Sequence, residues 1–306
     1  MSKVVVIGSV NVDKTTVLHH LPQSGETILG DDATESCGGK GANQAYAAAK
    51  LGADVTLLGA VGNDGDGQMS LVNLRSVGVH VDQVYISPKP TGSAFILVTE
   101  QGENMIVVMP GANLDCTVDY LRQHEEVIQQ ADIILLQLEI PLDSVKYVLS
   151  HKGQNTKVIL DPAPYHASLT FEDLKNVDIL TPNETELQYL TGKAFSVEGS
   201  ELSAEVKDLL ERGPKQCIVT LGGKGGYLLE RHKTWAFAPV AVQEVDSTAA
   251  GDTFNGALAS YLAEGESLEA AIHWAKHAAA LSVTRRGAQN SIPSADEVHQ
   301  FIDSRN

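Results

Sequence analysis

The segment VDSTAAGDTFNGALASYL, from Val245, sets a carboxylate beside residues with almost no side chain. Phe254, Ala257, Leu258, Tyr261 and Leu262 fall at the i, i+3, i+4, i+7 and i+8 positions of one helical face. At about 100° per residue, Asp252 lies roughly opposite that stripe, in the first turn, facing a cleft or water. Ala249, Ala250 and Gly251 precede it, so a ligand can approach their N–H groups at the positive end of the helix dipole. That setting suits a phosphoryl group. Asp in a first turn is also a dipole-favoured residue with no ligand at all, so the segment alone leaves both readings open.

A second stretch, VVVIGSVNVDKTT, has the outline of a phosphate loop: an apolar strand, Gly8, four residues, then Asp13, Lys14 and Thr15. A phosphate cradle needs glycine directly before the lysine, because backbone N–H groups must close around the anion and a Cβ intrudes. Asp13 occupies that place and repels phosphate. A neutral polar guest fits better.

These residues need a scaffold. Short apolar runs, VVVI at 4, VTLLGAV at 55, DIILLQLE at 132, KVILDPAP at 157, VDILTPNE at 177 and QCIVTLGG at 216, alternate with helical patterns. GANQAYAAAKLG is stopped by Gly52 and SVKYVLSHKG by Gly153, and the last third is helical. The alternation predicts an α/β fold with a mostly parallel sheet covered on both faces. Residues 11–37 and 90–109 break the rhythm and read as hairpin strands of a small separate sheet over the open end. Residues 1–10, 38–89 and 110–306 then make the core. An exposed small sheet bearing Phe95, Ile96 and Leu97 predicts pairing into a homodimer.

At 306 residues the chain suits one large domain with a smaller appendage. A net charge of −17 argues against nucleic acid and anionic membrane as partners. No leader pattern is read near Val4 and no window reaches membrane-spanning length, so a soluble, cytoplasmic protein is expected. Cys37, Cys116 and Cys217 show no paired spacing, which indicates inert thiols. His273 and His277 lack the glutamate of a zinc-protease helix and read as packing or surface residues.

GGKGANQ at 38, QLEIP at 137, TPNETE at 181, TLGGKG at 220 and DSTAAGDTFNGA at 246 follow one another between GSVNVD and TRRGAQNS. In this order they resemble the ribokinase branch of the ribokinase-like (PfkB) carbohydrate kinases, over nearly the whole length. The resemblance implies a three-layer α/β/α sandwich with a small β-sheet lid. It implies transfer of the γ-phosphoryl of ATP to the 5-hydroxyl of D-ribose, or, within the family, to 2-deoxyribose, a hexose or a nucleoside. It makes Asp252 the group that accepts the hydroxyl proton, with Ala249, Ala250 and Gly251 N–H groups as the anion hole.

By the same resemblance Asn11, Asp13, Gly38, Gly39, Lys40, Asn43 and Glu139 line the sugar pocket. Asn183 and Glu186 organise Mg²⁺ and phosphate, while Thr220, Leu221, Gly222, Gly223, Lys224, Gly225, Gly251 and Lys276 surround the nucleotide. Asp246, Thr248, Ser282, Arg285, Gly287 and Ser291 form a K⁺ loop. Taken by spacing alone, Asn-x-x-Glu at 183 is a helix cap, and the glycine-rich loop is only a turn. A non-catalytic sugar sensor is the contrasting reading from another class. A nicotinamide oxidoreductase is disfavoured, because no strand is followed by G-x-G-x-x-G with an acid about 20 residues on.

Overall fold

In strand β1 (Lys3–Ile7), apolar side chains point both ways: Val4 and Val6 enter one core, Val5 and Ile7 the other. A strand of this composition is stable only where both faces of its sheet are covered. The computed structural model describes residues 2–99, 101, 103–198 and 201–305.

From β1 the chain runs through β2 (Asn11–Leu18), β3 (Thr34–Gly38), α1 (Lys40–Lys50), β4 (Asp54–Leu58), β5 (Ala60–Gly62) and α2 (Gly65–Ser76). β6 (Tyr85–Ser87), β7 (Gly92–Thr99), β8 (Asn104–Met109), α3 (Val118–Gln123), α4 (Glu125–Gln129), β9 (Ile133–Leu136), α5 (Leu142–His151) and β10 (Lys157–Leu160) come next. Then follow β11 (Ile179–Leu180), α6 (Glu184–Thr191), the short pair β12 (Val197–Glu198) and β13 (Glu201–Leu202), and α7 (Ala204–Arg212). β14 (Gln216–Thr220), β15 (Gly226–Leu229), β16 (Thr234–Phe237), α8 (Ala250–Ala263), α9 (Leu268–Ser282) and α10 (Ala295–Asp303) complete it.

The main sheet has eight strands in the order β16-β15-β14-β11-β10-β9-β1-β4. Its strands are parallel except β15 and β16, which join antiparallel at one edge. One core packs α1, α2, α8, α9 and α10 on one face, and the other packs α3 to α7 on the opposite face. From β1 the chain adds β4 on one side and then β9, β10, β11 and β14 on the other. The carboxyl ends of β1 and β9 therefore flank a topological switch point, where such sheets open a ligand crevice.

The small sheet has the order β3-β2-β7-β8, two antiparallel pairs joined by parallel pairing of β2 with β7. The run VTLLGAV divides into β4 and β5 at Gly59, where a Cβ would stand 2.7 Å from the Gly8 carbonyl oxygen. β5 then pairs with β6 instead of extending the main sheet.

Helix α8 departs from the one-sided stripe expected of it. Phe254, Ala257, Leu258 and Leu262 are buried, but so are Asp252, Thr253, Asn255, Gly256, Ala259 and Ser260, because α1 and α9 cover the other sides. The approach of α1 depends on Gly256, where a Cβ would lie 2.5 Å from Ala47 Cβ and 2.8 Å from the Gln44 carbonyl oxygen. Small residues at this crossing bring Asn43 and Gln44 within reach of Asp252. Among the described residues, no helix is long and apolar enough to cross a membrane.

Candidate active site

Asp252 is buried in the first turn of α8, and each carboxylate oxygen accepts from a side-chain amide of α1. Asn43 Nδ2 lies 3.0 Å from Oδ2, and Gln44 Nε2 lies 3.0 Å from Oδ1. These donors fix the carboxylate plane without neutralising it. The helix begins at Ala249, the one non-glycine residue with positive φ among those described, at φ 58°. A left-handed alanine costs about 1 kcal/mol or more, and the turn it makes bends the preceding chain away from the helix start.

The first α-helical bond runs from Thr253 N to the Ala249 carbonyl at 2.8 Å, so the Gly251 and Asp252 amides precede the ladder. A Cβ on Gly251 would meet nothing within 4 Å, so space opens there. The expected set of three N–H donors needs one correction. Ala250 N donates to the Ser247 carbonyl at 3.2 Å, closing the turn before the helix, and is not free for an anion in this arrangement.

At the switch point, Ser9 Oγ donates to Glu139 Oε2 at 2.5 Å and Lys40 N donates to the same oxygen at 3.1 Å, tying β1, α1 and the chain after β9 together. Asp13, on β2, faces the same region. Burial raises its carboxyl to about 6, and the charges of Glu139 and Asp252 push the same way. Gly38 has room for no side chain, because a Cβ would stand 2.4 Å from Asp13 Oδ2. Gly39 has φ 86° and would press a Cβ to 2.6 Å from Asn11 N. Asn11 Oδ1 accepts from Asn113 Nδ2 at 2.7 Å, which fixes the orientation of the Asn11 amide.

Beside Asp252, a cavity of ≈ 230 Å³ is lined by Lys40, Asp161, Thr181, Asn183, Glu186, Thr220, Ser247, Ala249, Ala250, Gly251, Asp252, Phe254 and Asn255. Asn183 and Glu186 form a capping box on α6: Asn183 Oδ1 accepts from Glu186 N at 2.9 Å, and Glu186 Oε2 accepts from Asn183 N at 2.9 Å. Glu186 Oε1 also accepts from Asn183 Nδ2 at 2.8 Å. The cap and the cavity wall are the same residues. Asp161 is buried, and this desolvation raises its carboxyl to about 7 despite Lys40 Nζ at 3.8 Å. The Lys40 ammonium is in turn raised above its ordinary range, chiefly by Asp161.

Of the glycine-rich loop, only Thr220 reaches that cavity wall. Gly222, Gly223 and Lys224 form a short 3-10 turn, Leu221 N donates to the Gly225 carbonyl at 2.9 Å, and Gly225 packs on the backbone of Phe237 to Pro239. Lys276 Nζ donates to the Ala238 carbonyl at 3.2 Å, so it abuts that loop from α9 and lies outside the cavity wall.

The segment expected to hold a monovalent cation is clasped by Asp246. Its Oδ1 accepts from Thr248 N and Oγ1 at 2.9 and 2.6 Å, and its Oδ2 accepts from Gly287 N at 2.8 Å. Arg285 pairs with Glu297 at 2.6 Å and its N–H meets the Ser282 carbonyl, while Ser282 and Ser291 are buried with their hydroxyls on the Ala279 and Ala288 carbonyls. Among the described residues no group of three or more His, Cys, Asp or Glu side chains could hold a metal, so a cation here would rest on backbone oxygens.

Several participants escaped sequence reasoning: Ser9, Gln44, Asn113, Asp161 and Gln137. Asp161 stood at the end of KVILDPAP and Gln44 inside GGKGANQ, so strand-end position and motif membership were available signals. Asn113 had none, since it sits in the short turn Gly111–Asp115 after β8 and meets Asn11 from 102 residues away in the chain. Cys116 and Cys217 are buried with thiols raised by desolvation, Cys116 to about 12, and Cys37 is half-buried on β3; all three are unpaired.

The model of the pfkB family carbohydrate kinases matches residues 1–295. Ribokinase of Haemophilus influenzae is 39% identical over 300 residues, covering 97% of this chain and 97% of that protein. Deoxyribokinase of Salmonella typhi is 35% identical over 301 residues, covering 98% of each. The structure of Arabidopsis thaliana ribokinase complexed with ribose and ATP superposes with a TM-score of 0.89 at 36% identity, covering 99% of both chains. A buried aspartate at a bare helix start, a switch-point crevice and these likenesses converge: the chain belongs to the pfkB family of carbohydrate kinases.

Proposed function

We propose that this chain phosphorylates D-ribose, moving the γ-phosphoryl of ATP to the sugar's 5-hydroxyl. The observation that carries this reading is Asp252, fixed by two amides at a helix start with open space over Gly251. Asn11, Asp13, Gly38, Gly39, Asn43 and Glu139 hold the sugar so that its primary hydroxyl meets Asp252. As the oxygen–phosphorus bond forms in line, the bond to the ADP oxygen breaks and the hydroxyl proton passes to Asp252. The Gly251 and Asp252 N–H groups take up charge on the moving group. An aspartate is a weak base toward an alcohol, so orientation of the hydroxyl is its main work.

Asn183, Glu186 and Asp161 suit a hydrated Mg²⁺, since both Glu186 oxygens are already engaged by Asn183 and would reach the ion through water. When bound, such an ion neutralises phosphate charge. Lys40 lines the sugar pocket and also reaches the cavity wall, and the loop from Thr220 to Gly225 supports the nucleotide phosphates from Thr220. Asp246, Thr248, Ser282, Arg285, Gly287 and Ser291 support a K⁺ ion that orders the anion hole from outside. The small sheet acts as a lid, and its exposed Phe95, Met105, Val107 and Met109, which share a face by register, favour a homodimer. Three unpaired cysteines suit a reducing cytoplasm.

The identity to a deoxyribokinase favours a second reading, 2-deoxyribose as acceptor. A panel of ribose, 2-deoxyribose, hexoses and nucleosides with ATP, scored by ADP release, decides between them. The highest kcat/KM on ribose is expected; preference for 2-deoxyribose installs the second reading, and no turnover on any sugar rejects both.

A further inference from the structure

Asn43 and Asp252 stand at the end of a relay of carboxamides. Asp252 can only accept, so Asn43 must present Nδ2 to it, at 3.0 Å. That choice turns Asn43 Oδ1 the other way, where it needs a donor, because both side chains are buried. Gln289 Nε2 supplies it at 3.0 Å. Gln289 is itself 2% exposed, and its Oε1 accepts from Asn73 Nδ2 at 2.5 Å. The charge on Asp252 thus sets the direction of every amide back to Asn73 on α2. The relay crosses three separate parts of the chain: α2, the turn Gln289–Ser291 after α9, and α1.

We propose that Gln289 and Asn73 are positioning residues of the phosphoryl-transfer site, acting on Asp252 through the carboxamide of Asn43. The proposal rests on the kinase reading above. Without the Gln289 donor, Asn43 Oδ1 is left buried and unpaired, so the side chain shifts in search of a partner and loosens its hold on Asp252; an acceptor at 289 instead draws Nδ2 away from the carboxylate. Gln289 also follows directly on Gly287 and Ala288, in the segment clasped by Asp246, so a disturbance of that clasp reaches Asp252 through two of the same amides, Gln289 and Asn43.

The test is a double-mutant cycle on the full-length protein with ribose and ATP. Gln289→Met keeps volume and removes polarity; Gln289→Glu keeps shape and replaces the donor by an acceptor. Each is expected to lower kcat/KM for ribose roughly 10-fold or more, with KM for ATP unchanged, since small misplacements of a reacting group cost on this scale. In an Asn43→Ala background the same changes should alter it by less than about 2-fold, because the relay is already cut. Equal losses in both backgrounds, or a Gln289→Glu enzyme as active as the parent, overturn the proposal. If Gln289→Met fails to fold, as judged by thermal unfolding, Asn73→Ala takes its place in the cycle with a smaller loss of the same pattern. If the parent protein phosphorylates no sugar, the kinase reading has failed separately. The relay is then read by the ¹⁵N–¹H resonance of the Asn43 carboxamide, which must shift in Gln289→Glu and whose constancy overturns it.

Discussion

Asp161 and Asp252 share one carboxamide: Gln44 Nε2 lies 3.0 Å from Asp161 Oδ2 and 3.0 Å from Asp252 Oδ1. The two carboxylates belong to the end of β10 and the start of α8, and the same amide accepts from Gln137 Nε2 at 2.7 Å through its oxygen. One side chain of α1 therefore sets the spacing between Asp161 and Asp252, which line one cavity with Glu186.

Asp161 gives a pH signature. Burial raises its carboxyl from 3.8 to about 7, with Lys40 opposing. Between those values the folded protein keeps a proton that the unfolded chain has lost, so stability falls as pH rises through the window. The slope for one such proton is at most roughly 1.4 kcal/mol per pH unit. Asp161→Asn removes this contribution while leaving the other titrating groups. Urea unfolding without nucleotide at about pH 5 and about pH 7.5 should show a smaller loss in the variant than in the parent. Equal losses in both proteins contradict it.

Gly38→Ala tests the sugar end. The added Cβ would stand 2.4 Å from Asp13 Oδ2, and the neighbouring backbone of β2 leaves the carboxylate as the group that moves. KM for ribose is expected to rise roughly 10-fold or more, with ATP affinity intact. A parallel rise in KM for ATP would point to a general loss of structure instead.

The Asp246 clasp bears on the monovalent cation. Turnover should be higher in K⁺ than in Na⁺ or Tris buffer, and Asp246→Ala should abolish that difference and destabilise the fold by about 1–3 kcal/mol through three lost hydrogen bonds. Indifference of the parent to K⁺ rejects the cation loop.

Strand β8 is the edge of the small sheet, and Met105 to Met109 are all exposed. An apolar edge of this kind pairs with a second copy unless charge blocks it. Light scattering should give a dimeric mass for the parent and a monomeric mass for Val107→Asp. A monomeric parent at working concentration removes the proposed interface.

Much of this was legible in the residues. The alternation of VVVI, DIILLQL and KVIL with helical runs gave the parallel sheet, since doubly covered strands cannot alternate polar and apolar residues. The capping box at Asn183 was visible as Asn-x-x-Glu because it is local. The antiparallel β15 and β16 and the helix Gly65–Ser76 were not read, the latter because its glycines and scattered polar residues leave no clear stripe. The relays Asn73–Gln289–Asn43 and Gln137–Gln44 were out of reach. Their members lie far apart in the chain, and an amide carries no sequence signal for the partner it will meet. The occupied Ala250 amide was hidden for another reason: it depends on the left-handed turn at Ala249, which alanine does not advertise.

The most direct measurement compares turnover of the parent and Asp252→Asn on ribose with ATP, Mg²⁺ and K⁺, with the product identified by ³¹P NMR. The parent should yield ribose 5-phosphate, and the variant should fold, bind ATP with unchanged affinity and lose roughly 10²–10⁴ in kcat. A variant that turns over near the parental rate would contradict the role given to Asp252 and the mechanism built on it.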